Sequence, residues 1–174
     1  ILWDDPILGI YWNNNTDKRT LIDNAIHEYE NITSILENTV DGGGAGNISH
    51  ANAIIKVLKN KIEVREKLEK AYELKSTVLF RELQPLISET IANIKMLEQT
   101  FRKQWNAHNK PFGFEVLQIR LAGLGIRYEE LNQRLEELIA GKTNFIPELE
   151  EKPKAPLNGL RTDYRSLASG SIAF

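Results

Sequence analysis

The sequence predicts an all-α protein, an up-and-down bundle of three to four long helices preceded by one short strand. Three observations predict it. Apolar residues recur at steps of three and four along four stretches, Gly- or Pro-bearing breaks part the first stretch from the second and the third from the fourth, and only the opening dozen residues form a β-prone run. At 174 residues and 41% hydrophobic content, the chain can build one core. Its formal net charge of −2 gives no long-range attraction to nucleic acid or acidic lipid. No apolar run approaches the ~20 residues of a membrane span, so neither nucleic acid nor membrane is an expected partner. The lack of cysteine excludes disulfides, zinc–thiolate sites and thiol nucleophiles, and is compatible with a cytoplasmic protein.

Residues 1–12, ILWDDPILGIYW, read as a buried strand ending at an acidic turn around Asp4, Asp5 and Pro6. No partner strand follows, and an isolated strand leaves its backbone groups unmet. Together with a start at Ile1 rather than methionine, this predicts the last strand of a larger upstream domain. The expected organisation is therefore 1–12 as that strand, 13–140 as the helical bundle and 141–174 as an extended strap and tail.

From Thr16 the period becomes helical, with Asn15 or Thr16 able to cap the first turn. Leu21, Ile22, Ala25, Ile26, Tyr29, Ile32 and Leu36 form one apolar face. The DGGGAG run at 41–46 breaks it; no GK[ST] or GxGxxG follows, so a linker is expected rather than a phosphate loop. A second helix starts near Asn47 or Ser49 and runs to about Tyr72 on Ile54, Ile55, Leu58, Ile62, Leu68 and Tyr72, its lysines and glutamates forming a solvated face. A third runs from about Thr77 to His108 on Phe80, Leu83, Ile87, Ile94, Leu97, Phe101 and Trp105, with a kink or restart expected at Pro85. NKPFG at 109–113 is a hinge in which Asn109 suits a left-handed C-cap, Pro111 stops the helix and Gly113 frees the backbone. The fourth helix, about Phe114 to Ala140, carries Phe114, Leu117, Leu121, Leu124, Tyr128, Leu131, Leu135 and Leu138 and ends at Gly141. Beyond it, Glu148 to Pro156 reads as an exposed strap.

The segment NKPFGFEVLQIRLAGLGIRYEELNQRLEEL, with KVLKNKIEVREKLEKAY before it and NFIPELEE after it, resembles the C-terminal helical domain of bacterial glycoside hydrolase family 20 exo-β-N-acetylhexosaminidases. The opening ILWDDPILGIY is similar to the last barrel strand of that family's catalytic domain. The resemblance implies an upstream (β/α)8 barrel with an adjacent Asp-Glu pair. In the family's substrate-assisted mechanism the sugar's 2-acetamido group attacks the anomeric carbon while the glutamate protonates the leaving oxygen. No such pair stands in this chain, so the chain alone is expected to be non-catalytic. No cofactor or metal is expected either; His27, His50 and His108 are scattered and lack paired-ligand spacing.

The resemblance also implies site residues. The family ends its last strand with a tryptophan that walls the acetamide pocket and, two positions on, a carboxylate that accepts from sugar hydroxyls. Trp3 and Asp5 match that spacing, and otherwise read as a core residue and a turn cap. Arg120, Arg127 and Arg134 are seven residues apart and form one ridge on the fourth helix. Arg134 has Glu130 and Glu137 within helical reach, whereas Arg120 has no acidic residue at i±3 or i±4 and lies beside Ala122, Gly123 and Gly125. Two glycines inside a helix cost about 1 kcal/mol each relative to alanine, which predicts close packing by a second helix or another subunit. By the resemblance, Arg120 is a candidate to reach a neighbouring sugar pocket in a homodimer; otherwise it joins an ion pair between helices. A helical interaction or assembly module unrelated to glycosidases is the alternative that the periodicity alone supports.

Overall fold

Apolar stripes on long helices are buried most completely when each helix folds back on the one before it. The computed structural model describes residues 2–14, 17–39 and 46–152 and shows this arrangement. Six helices lie among the described residues: α1 (Ile10–Asn14), α2 (Lys18–Glu37), α3 (Asn47–Glu73), α4 (Thr77–His108), α5 (Phe114–Ile139) and α6 (Pro147–Glu151). End-to-start side-chain bonds fix the antiparallel order. Lys18 of α2 reaches Glu69 of α3 at 2.8 Å, Gln104 of α4 reaches Asn47 of α3 at 3.1 Å, and Gln118 of α5 reaches Glu98 of α4 at 2.8 Å.

Local chemistry sets the boundaries. Asp17 caps α2 by accepting from the Thr20 N–H, and Ser76 caps α4 by accepting from Leu79. Asn15 and Thr16, the expected caps, lie outside the described residues, as do residues 41–45 of the glycine linker. The hinge differs from expectation in detail. Asn109 is extended (φ −129°, ψ 160°), and Gly113 takes the left-handed conformation (φ 96°) as the α5 N-cap. The reversal therefore belongs to the residue without a Cβ. Glu115 closes the turn by accepting from the Gly113 N–H at 2.7 Å. Pro85 lies inside an unbroken α4, so the helix does not restart there. It is exposed, which leaves the missing backbone bond on the solvent side.

The core joins Val57, Val64 and Leu68 of α3, Leu83, Ile87 and Leu97 of α4, and Leu121, Leu131 and Leu135 of α5. Helix α3 packs against both α2 and α4, so more of its circumference is buried than one stripe would cover. The strap is corrected in part: Ile146 and Leu149 are buried, and the Tyr72 hydroxyl accepts from Ile146 N–H while donating to Glu150.

The predicted strand at the start of the chain is not seen, and no strand occurs among the described residues. Residues 2–9 instead form turns leading into α1. The expectation failed because the backbone found non-strand partners. Asp5 Oδ1 accepts from the Ile7 and Leu8 N–H groups at 2.8 and 2.9 Å, and the Asp4 carboxylate accepts from Tyr11 and Trp12. Short acidic side chains offer the backbone this local alternative to a ladder. Ile7 is fully buried in the bundle core.

Candidate functional site

The opening turn is held by buried charge. Lys61 and Arg65 lie on the apolar stripe of α3, between Val57, Val64 and Leu68, and are only 6% and 5% exposed. This corrects the expectation that the charges of α3 form a solvated face; Glu66, Lys67 and Lys70 do so, but these two do not. Lys61 Nζ donates to the Asp4 carbonyl at 2.7 Å and sits 5.3 Å from the centre of the Tyr128 ring. Arg65 Nη1 donates to the Pro6 and Ile7 carbonyls at 3.1 and 2.8 Å, and its Nη2 donates to Asn13 Oδ1 at 3.3 Å. Gly9, at φ +56°, lies flat against this guanidinium: a Cβ there would sit 2.5 Å from Arg65 Cζ.

Helix α5 holds the same turn from the other side. Arg127 Nε donates to Asp5 Oδ2 at 2.5 Å and Nη2 donates to Oδ1 at 3.3 Å. Burial pulls the Arg127 pKa down, but the hydrogen bond to Asp5 and the charges of Asp5, Glu148 and Glu130 together raise it. Burial pushes Lys61 down to about 8 against the opposing pull of Asp4 and Asp5, and pushes the Asp4 carboxyl up despite its two backbone donors and Lys61. Burial and the two aspartates also raise the Tyr128 hydroxyl. A cavity of about 30 Å³, the scale of a single water, lies among Asp4, Asp5, Lys61, Arg65 and Tyr128.

The residues nominated from the sequence converge at this turn. Trp3 is half-buried, and the Arg120 guanidinium lies 5.6 Å from the centre of its ring, within cation–π range. Asp5 is buried as the acceptor that shapes the turn, with its side chain 2% exposed. The ridge of arginines divides by role: Arg120 meets Trp3, Arg127 meets Asp5, and Arg134 pairs within its helix with Glu130 at 2.7 Å.

A family model for the glycoside hydrolase 20C C-terminal domain matches residues 1–164. The chain belongs to that family. No curated protein matches it. The match spans the Trp3–Asp5 turn and every described helix, so in this C-terminal domain of a family 20 glycoside hydrolase the turn and the bundle form one unit of sequence.

Within the domain, Lys61, Arg65 and Gly9 are the functional candidates that sequence reasoning missed. A signal was present: Lys61 lies four residues after Val57 and seven before Leu68, so the apolar period itself places a cation on the buried face. Near the hinge, His50 is buried in the first turn of α3. Its ring lies 4.7 Å from that of Phe101, and its Nδ1 is 3.2 Å from Thr100 Oγ1. Because that hydroxyl donates to the Leu97 carbonyl, the imidazole must donate to it. No group of residues able to hold a metal ion occurs among the described residues, and no helix there is long and apolar enough to cross a membrane.

The outer side of α5 is apolar and open. Val116, Ile119 and Ile126 are 52%, 71% and 61% exposed, and nothing lies within 4 Å of a Cβ built on Gly123 or Gly125. The close-packed helix expected to explain these glycines is thus not within the described residues. Helical spacing places Val116, Ile119, Gly123 and Ile126 in one stripe beside Arg120.

Proposed function

We propose that the chain serves a retaining, substrate-assisted exo-β-N-acetylhexosaminidase that releases terminal N-acetylglucosamine or N-acetylgalactosamine, packing on the catalytic barrel and lending residues to the sugar site. The family match supports the glycosidase setting. The observation that carries the local reading is the contact between Trp3 and Arg120, residues distant in sequence that share one half-buried edge. An indole face and a guanidinium suit a pyranose with an acetamide: the ring packs on the apolar side and the cation donates to oxygens. Asp5 is the third residue of the reading, a carboxylate beside Trp3 whose Oδ2 accepts from Arg127. The open stripe on α5 supports a homodimer built on that face, since contiguous exposed apolar surface marks association sites.

The test is Trp3→Ala and Arg120→Ala in the intact enzyme, assayed on a chromogenic N-acetyl-β-glucosaminide. Each should lower kcat/KM by roughly 10- to 100-fold, the range expected when a positioning contact is lost. The chain by itself should give no turnover. Unchanged kcat/KM in both variants, with an unchanged dimer mass, would discard the reading.

A further inference from the structure

The opening turn is attached to α3 by an expensive device. Two cations are buried on the face that also carries Val57, Val64 and Leu68, where apolar side chains would fill the space without desolvating a charge. What they supply is direction. Lys61 takes the carbonyl of Asp4, the residue directly after Trp3, and Arg65 takes the carbonyls of Pro6 and Ile7. Three carbonyls of one turn are thus fixed by two side chains four residues apart on a rigid helix. Gly9 completes the seat, because any Cβ would displace the guanidinium. The groups facing Lys61 are Asp4, Asp5 and Tyr128, and those facing Arg65 include Asn13 and Glu69, so each cation is located from several elements.

We propose that Lys61 and Arg65 are positioning residues that fix the Trp3 indole for the sugar by clamping the backbone of the turn that carries it. The inference rests on the reading that Trp3 contacts substrate, and adds residues which never touch it. Binding sites held within about 0.5 Å depend on such supporting contacts.

The intact enzyme tests it in two ways. In a double-mutant cycle, Lys61→Met and Arg65→Lys should each lower kcat/KM about tenfold, as a small misplacement near the chemistry does. Neither should add appreciably to the loss already caused by Trp3→Ala, because both act through the same ring. The second readout is independent of catalysis: the 19F resonance of 5-fluorotryptophan at position 3, assigned by its disappearance in Trp3→Phe, should shift or split in both variants. Losses that add fully to that of Trp3→Ala, or an unmoved resonance in both variants, overturn the clamp. A moved resonance with an inert Trp3→Ala sustains the clamp and overturns only the substrate reading.

Discussion

The two regions that lock this bundle do so by opposite means. Near the hinge, Phe101, Trp105 and Phe114 pack edge-on or tilted with ring centres 5.9 to 6.3 Å apart, and His50 adds to the stack. At the opening turn, two aspartates and three cations from α3 and α5 supply directed bonds instead of ring-on-ring packing. The aromatic end tolerates small displacements, because dispersion and area burial are not directional. The charged end has no such slack, since each buried ion needs its particular partner. That difference marks the charged end as the place where backbone position matters.

The sharpest way to break the comparison is a nearly isosteric change at each end. Asp5→Asn keeps the shape of the side chain but leaves Arg127 facing a neutral group, and should destabilise the chain by about 3 kcal/mol. Phe114→Leu removes more atoms yet should cost nearer ~1.5 kcal/mol, because neighbouring rings can close up. Urea unfolding of both variants decides it; equal losses would erase the distinction.

Lys61 sharpens the comparison through pH. The unfolded chain keeps the Lys61 proton up to its ordinary pKa of 10.5, whereas the folded chain releases it near 8. Between those values the unfolded state binds more protons, so this group makes stability rise with pH, by up to about 3 kcal/mol across the window. The stability of the unsubstituted chain relative to Lys61→Met should therefore improve from about pH 8 to 10. A flat difference would show that Lys61 is not a desolvated cation.

Next in size is Gly9→Ala, expected to cost about 2 kcal/mol from the left-handed backbone and the displaced guanidinium together. The smallest effect has the opposite sign. Gly123→Ala meets open space within a helix, so it should stabilise the isolated chain by about 1 kcal/mol. If the outer face of α5 carries the homodimer, the same change should weaken association of the intact enzyme. Thermal unfolding and sedimentation would separate the two outcomes.

Much of the bundle was legible in the sequence because helical periodicity, capping and glycine breaks are local. The expected spans of α3, α4 and α5 agree with the structure to within a residue or two, and the stripe from Phe80 to Leu97 is buried as read. The resemblance carried by the NKPFGFEV segment agrees with the family match. The site was legible only as a set of names. Trp3, Asp5 and Arg120 stood out by spacing, yet nothing local could show that Arg120 meets Trp3 or that Arg127 meets Asp5, 122 residues away.

By itself the sequence determined the four long helices α2 to α5 and, through the resemblance, the family, since each rests on residues within a few turns of one another. The tertiary structure alone decided that the opening run is a turn rather than a strand, and that Lys61 and Arg65 are interior. An apolar run with two aspartates can satisfy its backbone along a sheet edge or against buried cations, and a lysine on an apolar stripe can reach solvent or a carbonyl. Which option wins depends on which distant element packs there.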